Sequence, residues 1–67
     1  MVARKLPLGE RIQLARKRRG LKQIELARDT GIRNSRLSLI EHGWEKPKAD
    51  ELQKLNAALD TAFALEG

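Results

Sequence analysis

The chain contains no cysteine. No disulfide can staple it and no thiolate can hold zinc, which fits a reducing compartment. Aromatic residues are almost missing: Trp44 and Phe63 are the only two in 67 residues, so any core is aliphatic. No apolar run approaches the ~20 residues that a membrane-spanning helix needs. The opening stretch MVARKLPLGE has two basic residues but no apolar segment after them, so it is not a signal peptide. A soluble, cytoplasmic protein is expected. The one histidine, His42, has no cysteine or second histidine near it and makes no metal site. No Ser–His–acid spacing and no phosphate-binding glycine loop is present. Neither an enzyme, nor a cofactor, nor a small-molecule substrate is expected.

What the chain does hold is helix-forming residues: Leu, Ala, Arg, Lys, Glu and Gln dominate it. Its length allows one domain, and a chain this short buries only about 60% of its extended surface. Charge is unevenly spread. Residues 1–48 carry a net +8 and residues 49–67 a net −3, within an overall +5. A basic majority points to one face built for a polyanion, or else to solvated faces kept for solubility.

Gly20, Gly31, Gly43 and Pro47 punctuate the chain. Between them the spacing predicts four short helices: about Leu8 to Arg19, Gln23 to Thr30, Asn34 to His42, and Ala49 to Leu59. Leu8, Ile12 and Ala15 recur at helical spacing in the first, with Leu14 off the stripe. Leu26, Ala27 and Thr30 point inward in the second, Leu37 and Ile40 in the third, and Leu52, Leu55 and Leu59 in the fourth. No helix exceeds about three turns, so each depends on packing against the others. The tail TAFALEG reads as a fifth short helix or as an extended strand, because Thr61, Phe63 and Leu65 alternate.

Inside QIELARDTGIRNSRLSLIEHG the spacing is specific. Ala27 is small where two helices cross, Gly31 can take a positive φ for a tight turn, and Leu26, Ile32, Leu37 and Ile40 fill the angle behind it. This is a helix-turn-helix pattern. At about 100° per residue, Leu37 and Ile40 mark the buried face of the third helix. Ser35, Ser38, Leu39 and His42 fall opposite, Asn34 is reachable from the helix start, and Arg36 lies on the flank. A recognition helix offers its N-terminal residues to base edges. The candidate base readers are therefore Arg33, Asn34, Ser35, Ser38 and Leu39, with Arg36 able to swing in. Asn can pair with adenine, Arg with guanine, and Leu39 can meet a thymine methyl. Arg33 and Arg36 can equally serve phosphates alone. At the start of the second helix, the unbonded N–H groups beside Lys22 and Gln23 favour a phosphate.

The motifs GLKQIELA, TGI, LSLIEHG and ELQKLNAAL, in that order, resemble the Cro and phage-repressor (XRE, lambda-repressor-like) family over residues 8–60. The resemblance implies an all-α, compact domain of four to five helices, with residues 1–7 as an N-terminal arm and 61–67 as a tail that is a candidate dimer contact. It implies that Gln23 bonds a DNA phosphate and that the loop WEKPK grips the backbone through Lys46 and Lys48. It implies a partly buried ion pair between Arg16 and Glu41. Four positions depart from the family. Lys22 and Arg33 stand where Ser or Thr is usual. The cap of the second helix is then missing or supplied otherwise, and Asn34 can cap the third. Thr30 replaces an aliphatic residue, and Asn56 replaces a typical Ala; each is expected to weaken the core slightly.

Other residues have competing readings. Trp44 is expected to cover the stem of Lys46 or the core edge, with DNA backbone or a partner as alternatives. His42 favours a helix C-terminus or a phosphate. The run from Arg16 to Gly20 reads as a solvated face, and Arg4 and Lys5 as a frayed terminus. Leu14 and Ile24, off their core stripes, read first as scattered surface apolars; together with Phe63 and Leu65 they are candidates for a dimer surface. The function implied is a sequence-specific DNA-binding transcriptional regulator, a repressor that binds an inverted repeat of double-stranded DNA as a homodimer. With no ligand or protease domain in the sequence, control is expected from dimerisation, operator arrangement or a partner protein. The rivals are an antitoxin of HipB or HigA type, which also binds a toxin, a helix-turn-helix module used for protein contacts, and the N-terminal domain of a longer repressor.

Overall fold

Four helices form where the apolar spacing places them: α1 (Leu8–Arg18), α2 (Gln23–Thr30), α3 (Asn34–Glu41) and α4 (Ala49–Leu59). They are seen in a computed structural model that describes residues 6–65; Arg4 and Lys5 lie outside it. Ile12, Leu26, Ala27, Ile32, Leu37, Ile40, Leu52, Leu55 and Leu59 make the core. Leu8, Ala15, Leu21, Ala58 and Phe63 are packed at its rim. Each helix supplies two or three inward residues at helical spacing except α1, where Ile12 is the one fully buried aliphatic residue. Among the described residues no helix is long and apolar enough to cross a membrane.

A close backbone approach occurs at Gly9. A Cβ there would run into the carbonyl oxygen of Ile40 and lie 2.8 Å from that of Glu41. Only glycine lets α1 cross the end of α3 at this depth. Ala27, expected at a close crossing, is buried.

The unusual residues at the helix starts have specific compensations. The carboxylate of Glu25 accepts the backbone N–H of Lys22 at 2.7 Å. Glu51 does the same for Lys48, also at 2.7 Å. Both are the glutamate half of a capping box, working without the Ser or Thr half, since a lysine side chain cannot accept a hydrogen bond. At α3 the expectation is overturned. Arg33, in extended conformation, is the N-cap; Asn34 is the first helical residue, and no side chain caps the helix.

Two further departures turn out to be fasteners. The hydroxyl of Thr30 donates to the carbonyl of Leu26 at 2.8 Å and accepts the N–H of Ile32 at 3.3 Å. It thus ties the end of α2 to the turn that follows. Asn56 holds the tail. Its amide donates to the carbonyl of Phe63 at 2.9 Å, and its oxygen accepts from Phe63 N–H at 2.8 Å and from Thr61 Oγ1 at 2.9 Å. Residues 61–65 form neither helix nor strand. They run back over α4, and Phe63 packs on the core with the Arg11 guanidinium 5.7 Å from its ring centre. Phe63 is therefore part of the fold, half-buried at the core's rim.

Candidate nucleic-acid interface

Gly31 closes α2 in the left-handed region, at φ +75°. Its N–H donates to the carbonyl of Ala27 at 2.9 Å, and a three-residue turn leads into α3. With Leu37 and Ile40 fully inside, the opposite side of α3 must face out. Arg33, Asn34, Ser35 and Leu39 are exposed there, and Ser38 is half-buried. The first N–H groups of α3, at its N-terminal end, are capped by no side chain.

Behind this surface lies a buried ion pair. Glu41 is 2% exposed. Arg16 meets it with two parallel bonds, Nε to Oε2 at 2.8 Å and Nη2 to Oε1 at 3.1 Å. The third guanidinium nitrogen, Nη1, donates to the Leu21 carbonyl at 2.8 Å. Gln23 adds a donor to Glu41 Oε1 at 3.2 Å. One carboxylate thereby links α1, the start of α2 and the end of α3. Gln23 is half-buried at this junction, with Lys22 exposed beside it.

Arg36 is not poised to swing toward bases. Its Nε and Nη2 donate to the two oxygens of Glu51 at 3.1 and 3.0 Å. Nη1 donates to Glu45 at 2.9 Å, and Nη2 also to the Lys46 carbonyl at 3.1 Å. Two carboxylates and a carbonyl satisfy a planar fork on the flank of α3. The Arg36 guanidinium beside it, ahead of the burial that opposes it, holds the Glu51 carboxyl below the usual carboxylate range. The same bonds to Glu51 raise Arg36 above its ordinary value. The spacing of the sequence does not single out Glu45 or Glu51 as members of this site. The one signal it carries is Glu51 three residues after Lys48, a capping position.

The loop from His42 to Lys48 carries Lys46 and Lys48, both exposed, with Pro47 buried between them. His42 closes α3, and its Nδ1 lies 2.7 Å from the Ser38 carbonyl, to which it donates. Trp44 overturns the expected lid. It is 74% exposed, and its ring lies 5.4 Å from that of His42. The loop contributes Pro47 to the interior instead. Lys17, Arg18 and Arg19 are exposed at the end of α1, where the helix dipole favours cations, while Arg16 of the same run turns inward. Leu14 and Ile24 are exposed on α1 and α2. Among the described residues no group of His, Cys, Asp or Glu is arranged to hold a metal ion.

Two short helices joined by a glycine turn, the second showing an uncapped polar first turn to solvent, define a helix-turn-helix domain. Residues 12–65 match the family model described as Helix-turn-helix. The chain belongs to this family, in its XRE, Cro and lambda-repressor-like branch. No curated protein sequence matches it significantly. Among solved structures it is similar to the SinR protein/SinI protein complex, with 37% identity and a TM-score of 0.80. That match covers 84% of this chain and 55% of the other, so the chain spans about half the length of the matched one. It is also similar to SinR, the master regulator for biofilm formation, in complex with DNA. There the identity is 37%, the TM-score 0.79, and the coverage 84% of this chain and 90% of that one.

Proposed function

We propose that the protein is a sequence-specific DNA-binding transcriptional regulator, a repressor that binds an inverted repeat as a dimer. The observation that carries this reading is the outward first turn of α3, where Arg33, Asn34 and Ser35 stand exposed opposite buried Leu37 and Ile40. Short polar side chains on a rigid convex ridge suit base edges in a major groove. Asn34, Ser35, Ser38, Leu39 and Arg33 are the proposed readers. Lys22, Gln23, Lys46 and Lys48 are the proposed phosphate contacts, flanking the ridge on both sides. The role is binding rather than catalysis, in the cytoplasm, through a domain over residues 8–60. SinR, similar over most of this chain, is seen with DNA, which supports the reading. SinR is also seen with SinI, which favours control by a partner protein as a second reading.

The test is a comparison of a duplex selected from a random pool with a scrambled duplex, at one fixed salt concentration. Asn34→Ala and Ser35→Ala are expected to lose about 1–3 kcal/mol of preference at particular base pairs. A loss uniform across sequences moves these residues to the phosphate class. If the unmodified chain selects no sequence, the protein-contact module is the better reading.

A further inference from the structure

Arg36 occupies the third position of the proposed reading helix, yet its fork points away from the ridge. It makes four hydrogen bonds, to Glu51 on α4, to Glu45 in the loop and to the main chain of Lys46. Glu51 in turn accepts the N–H of Lys48 at the start of α4. The two proposed phosphate-binding lysines of the loop are thus the two residues whose backbones this network grips. Their side chains are exposed and long. Nothing else on the described chain links α3 directly to the backbone between Glu45 and Lys48 through a side chain. Backbone bonds from Trp44 and Glu45 N–H to the Leu39 carbonyl hold the loop's start, and the Lys48 carbonyl accepts Leu52 N–H in α4, but the Lys46 main chain between them is held by Arg36.

We infer that Arg36 is a positioning residue of the DNA interface, which clamps the loop so that Lys46 and Lys48 stand in register with the first turn of α3. The inference rests on the DNA-binding reading above. A guanidinium is the suitable group, because three acceptors in a plane match its fork and an ammonium cannot bridge them at once. The cost of ordering the loop backbone that carries the two lysines is then met on folding and not on binding.

A double-mutant cycle tests it, with the duplex selected by the unmodified chain as probe. The readout is the slope of log affinity against log salt, which changes by about one for each phosphate that the protein ceases to neutralise. Lys46→Ala is expected to lower that slope by about one in the unmodified chain and by almost nothing in the Arg36→Ala background. The profile of base preference is expected to stay the same in Arg36→Ala, and Arg36→Lys is expected to behave like Arg36→Ala. Additive effects of Lys46→Ala and Arg36→Ala overturn the inference. So does loss of preference at one base pair in Arg36→Ala, which makes Arg36 a reader. Should Arg36→Ala not fold, judged by its thermal unfolding, Glu45→Ala removes one acceptor of the clamp in an exposed loop and enters the same cycle. If the unmodified chain selects no duplex, the DNA-binding reading fails and takes this inference with it. That outcome is visible before any variant is made.

Discussion

Glu41 shows what a single residue can demand of this fold. A buried lone carboxylate is costly, and this one is 2% exposed. Three donors, two from Arg16 and one from Gln23, meet its oxygens. The gain from such a pair against an apolar core is small, but breaking it leaves a charge with no partner. Arg16→Ala is therefore expected to cost about 3–5 kcal/mol in urea unfolding. That is a large share of the total for a chain this short, which at 0.05–0.15 kcal/mol per residue is about 3–10 kcal/mol. Replacing both partners, Arg16→Met with Glu41→Leu, is expected to recover most of the loss. A single substitution as mild as the double one would mean that water reaches Glu41. This pair was legible through the family resemblance. The partners of Arg36 were not, because ion pairs between residues 9 and 15 positions apart leave no periodic trace.

Among the elements, the helices were legible and their fastenings were not. Four helices fall within a residue of the expected bounds, because inward aliphatics at helical spacing and the glycines between them act locally. The two residues expected to weaken the core make specific hydrogen bonds. Thr30 and Asn56 replace apolar residues, yet each spends its polar atoms on backbone that would otherwise be less well held. The tail was ambiguous because alternation of Thr61, Phe63 and Leu65 fits an extended segment whatever it pairs with. Its partner is the side-chain amide of Asn56, which takes both the N–H and the C=O of Phe63 as a neighbouring strand would. Asn56→Ala is expected to cost about 1–3 kcal/mol, at roughly 1 kcal/mol for each bond removed. Hydrogen exchange at the Phe63 amide checks this directly: protection should fall there while the α3 core stays protected. Unchanged protection at Phe63 would show that core packing alone holds the tail.

At the scale of the whole molecule, residues 1–48 carry a net +8 and residues 49–67 a net −3. All the proposed DNA contacts come from the basic part. For two copies on an inverted repeat, the ridges must reach successive major grooves about 34 Å apart on one side of the duplex. Inserting about five base pairs between half-sites turns one site to the far side. Titration is then expected to change from cooperative to independent binding, read by gel shift with each half-site intact. Cooperativity that survives the insertion would mean that the copies do not touch each other through a fixed geometry. Leu14, Ile24 and Leu65 are exposed for such a contact, and Phe63 is half-buried beside Leu65.

Residue order alone determined that this is a small all-α protein, where its helices lie, which side of α3 is buried, and that Gly31 turns the chain between α2 and α3. These follow from spacing and backbone sterics, which act over a few residues. Only the tertiary structure decided that Arg36 grips Glu45 and Glu51, that α1 meets the end of α3 closely at Gly9, that Trp44 stands in solvent, and that Asn56 seats the tail. Those outcomes depend on which groups meet once the helices are packed. Hydrogen-bonding and charged side chains are satisfied by whatever partner the fold brings within about 3 Å, at any distance along the chain.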